Sequence, residues 1–185
     1  MATKVDPRSV SVRDLSEEDV PFVLDYWFRS PPGFIESLGA DPGKLPPEPV
    51  FADTLRERIR RNRELAISKL NTLAILHDGA FVGLHNLNPL VEGQSGVFHA
   101  HVVRPEYRRR GIAEISYPQA CRLFLARFDL ERILFKTPVQ NLGAIRVKEK
   151  LGIRFLGEET VDFGIIRTGT RARVYELTRA EAGLP

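Results

Sequence analysis

The sequence predicts an α/β fold with a mixed sheet of about seven strands and helices on both faces. Short apolar or alternating segments typical of strands are separated by longer segments with helical spacing. Asp-Gly and Thr-Gly-Thr sequences mark hairpins, so neighbouring strands are not all parallel. The elements follow in the order β α α β β β α β α β β. The chain has 185 residues, of which 43% are hydrophobic, and we expect residues 1–185 to form a single domain.

The chain begins with a strand and a helix. Residues 10–15 alternate weakly between apolar and polar side chains, as expected for a half-buried strand. Ser16 can cap the following helix, because Asp19 lies three residues further on. This helix should continue to about Ser30, where Pro31-Pro32-Gly33 ends it.

A proline- and glycine-rich connection over residues 32–49 separates this helix from the next. We expect one short helix inside it, at residues 34–38, and a longer polar helix at residues 51–62. Long connections inside compact domains are usually functional or mobile. We therefore expect this one to line or cover a substrate site.

The next part of the chain has the pattern of a three-stranded meander. Residues 72–76 are wholly apolar, which indicates a strand that is buried on both faces. His77-Asp78-Gly79 supplies the positive φ of a hairpin turn, and residues 80–87 return as the partner strand. Residues 97–103 form the following strand.

The last part of the chain alternates between helices and strands. The predicted elements are a helix at 111–129, a strand at 132–136, a helix at 141–151, and strands at 160–166 and 171–177. Pro118 lies inside the first of these helices, where we expect a kink. Gly152 ends the second helix, and Thr168-Gly169-Thr170 closes the final hairpin.

Composition excludes several classes of protein. The net charge of +3 is small for a dedicated nucleic-acid binder. No apolar run approaches the roughly 20 residues of a membrane helix, and residues 1–10 lack the apolar core of a secretory signal. The single cysteine, Cys121, excludes an internal disulfide, and no Cys/His spacing fits a metal site. We expect a cytoplasmic protein with no metal and no membrane partner.

The segment from Arg104 to Ala113 predicts a phosphate-binding loop. A strand ends at Val103, a basic loop follows, and a helix begins near Gly111. Helix N-termini carry unpaired N–H groups and partial positive charge, which favour phosphate. Gly111 allows a ligand to approach the backbone closely. The alternative is a solvated turn with a run of arginines.

Two motifs resemble the GNAT superfamily of acetyl-CoA-dependent N-acetyltransferases. Arg108-x-x-Gly111-x-Ala113 resembles the family's R/Q-x-x-G-x-G/A pattern. About 30 residues downstream, Asn141-Leu-Gly-Ala144 followed by Glu149-Lys-Leu-Gly152 resembles the family's N-x-x-A…E-K-L-G helix. The order of elements over most of the chain is also similar, so the resemblance implies a GNAT-like fold.

The resemblance also implies acetyl-CoA as co-substrate and assigns residues that bind it. The pyrophosphate would be held by the loop residues Arg108, Arg109, Arg110, Gly111, Ile112 and Ala113. The strand end, His101, Val102 and Val103, would pair through its backbone with the pantetheine arm. Asn141 would hydrogen-bond that arm from the other side while also capping its own helix.

Lys148 departs from the family's pattern. The family often has a tyrosine seven residues after the asparagine, where it acts as an acid toward the leaving thiolate, and Lys148 stands at that position. A lysine there could contact the cofactor, donate a proton or meet a phosphate. The alternative is a solvated lysine in a Lys-Glu-Lys run.

Two histidines on one strand are candidates for the catalytic base. His99 and His101 are two residues apart, so a strand places both on one face. An unperturbed imidazole is suited to accept a proton near neutral pH. His99 resembles a histidine of the arylalkylamine acetyltransferases. His85, on the neighbouring strand, could face the same cavity, and both candidates could instead be structural.

The sequence is therefore interpreted as an N-acetyltransferase that moves an acetyl group from acetyl-CoA to an amine by direct attack. The acceptor would be a small molecule or a protein amine, held by the first helices and the last hairpin, and a homodimer is possible. One rival is a non-catalytic, regulatory module that binds coenzyme A. Another is an RNA-associated protein that uses the arginine patch, although few aromatic residues flank it.

Overall fold

The computed structural model describes residues 3–184, and a seven-stranded mixed sheet forms its centre. The strands are β1 (Val10–Asp14), β2 (Thr72–His77), β3 (Ala80–Val91), β4 (Ser95–Val102), β5 (Arg132–Pro138), β6 (Arg154–Val161) and β7 (Thr170–Thr178). Their spatial order is β1-β2-β3-β4-β5-β7-β6. Within residues 3–184, β4 and β5 are the one parallel pair of neighbouring strands, and the other pairs are antiparallel. The predicted fold class is confirmed.

Helices cover both faces of the sheet. They are α1 (Val20–Phe28), α2 (Phe34–Ser37), α3 (Glu48–Arg63), α4 (Ile112–Arg127) and α5 (Leu142–Lys150). The first three pack on one face around an apolar cluster that includes Val20, Ile35 and Leu84. The α4 helix packs on the other face around Phe98, Phe124 and Phe135. Within the described part of the chain, no helix has the length and apolar character needed to cross a membrane.

Local sequence signals explain where the helices begin and end. The Ser16 N–H donates to Asp19 Oδ2 at 2.8 Å, and a short 3₁₀ turn, Glu17–Asp19, precedes α1. Asn141 caps α5 by accepting the Ala144 N–H at 3.2 Å, as predicted. The α4 helix runs as one element through Pro118.

The position of the sixth strand was predicted wrongly. The sequence indicated a strand at residues 160–166, whereas β6 spans Arg154–Val161 and residues 162–169 form a loop. The β6 strand lies at the edge of the sheet and is exposed on both faces, so its apolar residues do not alternate. The apolar Ile166 that suggested a strand instead makes a β-bridge with Ala40 of the proline-rich connection.

A buried ion pair fixes the start of α1 against β1. Asp19 is 2% exposed, and its two carboxylate oxygens accept bonds from Arg13 at 2.6 and 2.9 Å. Removing one partner of a buried pair leaves the other without its charge partner.

We predict that Asp19→Ala lowers the free energy of unfolding by about 3 kcal/mol, near the lower bound for a buried pair because Arg13 is partly exposed. For a chain of this length, that corresponds to a melting temperature lower by roughly 6–12 °C. Thermal unfolding followed by circular dichroism measures the change. Asp53→Ala is the control, because Asp53 is 81% exposed and pairs loosely with Arg56 at 3.6 Å. Equal losses in both variants would contradict the assignment.

Candidate active site

A gap opens in the sheet where β4 and β5 separate. The two strands pair at only three positions, Ser95–Arg132, Gly96–Ile133 and Val97–Leu134. Both strands continue for several residues beyond the last pair, and β5 stays paired with β7 to its end. The far half of β4 therefore has no strand neighbour on its β5 side. Its backbone groups there are available to an extended ligand.

The backbone groups of β4 that face this gap can be identified from its pairing with β3. Val103 donates its N–H to Val82 O at 3.0 Å, so its backbone faces β3. Because the direction alternates along an antiparallel strand, His101 also faces β3, whereas Ala100 and Val102 face the gap. The sequence analysis expected the Val103 backbone to pair with the pantetheine arm. That expectation is wrong, because the Val103 N–H already donates to Val82 O.

A loop with an unusual backbone follows β4. Arg109 and Gly111 have positive φ angles of 62° and 86°, and Gly111 is the N-cap of α4. Among residues 3–184, no hydrogen-bond acceptor is found for the backbone N–H groups of residues 109–113. Consecutive unpaired N–H groups at the start of a 16-residue helix form an anion-binding site.

The arginines around this loop mostly make contacts within the protein. Arg108 donates to Val102 O and Val103 O, both at 3.0 Å, and its guanidinium lies 4.2 Å from the Phe34 ring centroid. Arg110 donates to Thr3 O at 3.2 Å. These side chains hold the loop against its surroundings, which counts against the nucleic-acid alternative.

His101 is held among aromatic side chains of α1. Its Nδ1 lies 2.9 Å from the Tyr26 hydroxyl, and its ring centroid is 5.0 Å from that of Trp27. Burial lowers the pKa of His101 to about 3, and it raises the pKa of Tyr26. Both groups are therefore neutral at pH 7, and His101 is a weak base.

His99 lies on the same face as His101 but has different surroundings. Its Nε2 lies 2.7 Å from Asn88 O. A carbonyl oxygen only accepts, so Nε2 carries the proton and the lone pair is on Nδ1. Burial lowers the pKa of His99, while the hydrogen bond to Asn88 opposes that shift. His99 is thus neutral at pH 7, with a fixed tautomer and one ring nitrogen that can accept a proton.

His85 does not share this cavity, so the suggestion that it could is wrong. His85 pairs with Ala100 across the two strands and therefore lies on the α4 face of the sheet. Its Nε2 is 2.9 Å from Ser116 Oγ, and burial lowers its pKa to about 3. The sequence could not show this, because the register between the strands decides the face.

Lys148 is also on the α4 face, and it is buried. Its side chain is 4% exposed, which makes the solvated alternative wrong. The Nζ atom donates to the Tyr117 hydroxyl at 3.2 Å.

The proline-rich connection and the loop between β6 and β7 are joined. Asp41 N donates to Ile165 O at 2.7 Å, and Arg167 N donates to Gly39 O at 3.0 Å. Lys44 Nζ bonds three groups of the loop: Asp162 Oδ1 at 3.1 Å, Ile166 O at 2.8 Å and Thr168 Oγ1 at 3.0 Å. No sequence signal predicted this contact between distant segments.

These joined segments lie beside the histidines. Phe163 of the β6–β7 loop lies 6.0 Å from His99, and Phe34 of the connection lies 5.9 Å from Tyr26, measured between ring centroids. Asp25 of α1 is exposed and pairs with Arg29 at 3.2 Å. Aromatic rings of α1 and of the β6–β7 loop therefore lie beside the histidines.

Comparisons with known proteins identify relatives of this arrangement. The model of the acetyltransferase (GNAT) family matches residues 25–153. A comparison with curated protein sequences finds no match.

Solved structures share the fold at low sequence identity. A spermidine N-acetyltransferase from Vibrio cholerae, in complex with coenzyme A and spermine, superposes with a TM-score of 0.72 at 16% identity, covering 95% of this chain and 98% of that one. A ribosomal L7/L12 α-N-protein acetyltransferase in complex with coenzyme A gives 0.71 at 13% identity, covering 92% and 94%. A ribosomal-protein-S5-alanine acetyltransferase from Vibrio fischeri gives 0.69 at 15% identity, covering 96% of each chain.

Proposed function

The chain belongs to the GNAT family of acetyltransferases, and we propose that it transfers an acetyl group from acetyl-CoA to an amine by direct attack in a ternary complex. The observation that carries this proposal is the row of unpaired N–H groups at residues 109–113, which follows directly on a strand with an open edge. Together they match the two parts of coenzyme A, a pyrophosphate and an amide-rich arm.

Coenzyme A would bind along this path. The pyrophosphate contacts the N–H groups of residues 109–113, and the pantetheine arm pairs with the Ala100 carbonyl and the Val102 N–H, because the Val102 carbonyl already accepts the Arg108 side chain. Of the strand residues that the sequence indicated, this proposal retains Val102, whereas the backbones of His101 and Val103 face β3. Asn141, which caps α5, would hydrogen-bond the arm from the β5 side of the gap. Lys148 contacts the cofactor at its thiol end.

His99 is proposed as the base that removes the proton from the attacking amine. The lone pair on its Nδ1 and the Asn88 carbonyl behind Nε2 support the proposal, because that carbonyl stabilises the imidazolium ion that forms. Burial lowers the pKa of His101 to about 3, and its Nδ1 is bonded to Tyr26. It would shape the acceptor pocket instead. The Ala100 N–H, which lies nearer to the point where β4 and β5 separate, is the available donor for the oxyanion.

The acceptor would enter between the proline-rich connection and the β6–β7 loop. The structural neighbours include enzymes named for spermidine and for ribosomal proteins. The aromatic lining of this pocket suits an amine with an apolar or peptide-like body. A cytoplasmic location and a homodimer remain predictions from the sequence.

The proposed activity is tested by incubating the protein with acetyl-CoA and a panel of amines. The panel contains spermidine, an alanine-terminated peptide and phenylethylamine, and the release of free thiol is measured. Acetylation of at least one amine is expected. Binding of coenzyme A without turnover on any amine would favour the non-catalytic alternative, and no binding would overturn the proposal entirely.

We predict that Gly111→Asp weakens coenzyme A binding at least tenfold, or about 1.4 kcal/mol. The new carboxylate would stand beside the pyrophosphate, and the positive φ of 86° would be strained. Calorimetric titration with coenzyme A measures the effect. Gly93→Asp is a matched control, because Gly93 has a φ of 73°, equally open surroundings and a position in the β3–β4 turn. Unchanged affinity in folded Gly111→Asp would contradict the assignment.

We predict that His99→Ala lowers the rate by about 10²–10⁴-fold, whereas His101→Ala has a smaller effect. The base must be neutral to act, and the pKa of His99 lies below 6.5. The ratio of the wild-type rate to the His99→Ala rate should therefore be constant above pH 7. It should shrink as the pH falls through the pKa. Taking the ratio of the two rates removes the ionisation of the amine itself. If His101→Ala alone abolishes this dependence, His101 is the base.

We predict that Lys44→Met raises the KM for the acceptor several-fold and leaves the affinity for coenzyme A unchanged. Loss of three bonds from Lys44 would loosen the wall formed by the connection and the β6–β7 loop. Steady-state kinetics and calorimetry separate the two quantities. Lys69→Met, at an exposed ion pair with Glu92, is the control. Equal changes in both affinities would place the acceptor elsewhere.

A further inference from the structure

Lys148 lies close to the point where β4 and β5 separate, on the α4 face of the sheet. Phe98 and Phe135 are the first residues after the last parallel pair of these strands, and their rings are 5.2 Å apart. Lys148 Nζ lies 5.8 Å from the Phe135 ring centroid, and Tyr117 lies 4.9 Å from Phe98. The ammonium group therefore lies on the α4 side of the gap, opposite the face that carries His99.

No carboxylate compensates this buried charge within residues 3–184. The titratable groups that face Lys148 are Tyr117 and Cys121 of α4 and His85 of β3. His99 and His101 of β4 sense its charge from the other side of the sheet. Burial raises the pKa of Tyr117 and of Cys121 and lowers the pKa of each histidine, so all five are neutral at pH 7. Lysine is almost never buried without a partner, since desolvation of its charge destabilises the fold.

The surroundings of Lys148 bring the pKa of its ammonium group close to neutral pH. Burial lowers the pKa of Lys148 to about 7. Cys121 opposes that shift, and the Tyr117 oxygen accepts a hydrogen bond from the charged form. A thiol has an ordinary pKa near 8.5, so proton transfer from this ammonium to a thiolate is downhill.

We propose that Lys148 is the acid that protonates the sulfur of coenzyme A as the acetyl group leaves, and that Tyr117 positions its ammonium group. The inference rests on the proposed acetyl transfer. The amine nitrogen bonds to the acetyl carbon, and the carbon–sulfur bond breaks with its electron pair on sulfur. One Nζ proton moves to sulfur to give the free thiol. His99 takes the proton of the amine, and exchange with solvent restores both side chains.

Lys148→Met tests the role directly, because methionine keeps the shape and removes the charge. The variant should lose about 10²–10⁴-fold in the single-turnover rate on every panel amine that the wild type acetylates. Its melting temperature should stay equal or rise, since a buried charge is replaced by an apolar group. Its affinity for coenzyme A, measured by calorimetry, should change less than threefold. Lys69→Met is the control for the substitution.

The pH dependence distinguishes an acid from a structural lysine. The ratio of the wild-type rate to the Lys148→Met rate should be constant below pH 7. Above about pH 7 it should fall roughly tenfold per unit, because the ammonium is then deprotonated. Tyr117→Phe removes the group that favours the charged form, so the falling limb should move to lower pH. A structural role would change only stability.

Several results would overturn the proposal. If Lys148→Met retains the wild-type rate, the acid is elsewhere and the acetyl transfer itself still stands. If mass spectrometry finds an acetyl group on Lys148 after incubation with acetyl-CoA, the amine is a nucleophile rather than an acid. If the wild type acetylates no panel amine, the proposed function and this inference fail together.

Discussion

The early end of pairing between β4 and β5 is the constraint on which the site depends. Had these strands stayed paired, the backbone of Ala100 and Val102 would be consumed within the sheet. Their separation leaves one open edge in the middle of the fold, and the two faces of that edge carry different chemistry. His99 lies on the α1 side, and Lys148 lies on the α4 side. A ligand in the gap would be contacted from both.

This arrangement links ligand binding to stability. A lysine buried without a counterion reduces the stability of the free protein, and the N–H groups of residues 109–113 have no acceptor within the described residues. A ligand that supplies acceptors and negative charge would offset part of that cost. The free protein is therefore built less for maximal stability than for the bound state, which is typical of functional sites.

Local signals in the sequence predicted the parts of the site that local chemistry decides. The positive φ of Gly111 and the capping of α5 by Asn141 follow from the short motifs around them. Features set by tertiary context were missed. The register between β3 and β4 turned His85 away from the other histidines, and packing against Tyr117 buried Lys148 in a run that looks solvent-exposed. The edge strand β6 escaped prediction because both its faces are exposed, so no alternation marks it.

The position of β7 between β5 and β6 affects the order in which the strands can pair while the chain is being synthesised. Strands β1 to β4 pair only with one another until β5 arrives, and β2, β3 and β4 follow each other as antiparallel neighbours. Such local pairs form early. By contrast, β6 has no partner until β7 has left the ribosome and entered beside β5. The exposed Phe155 and Leu156 of β6 are thus an aggregation hazard in the nascent chain.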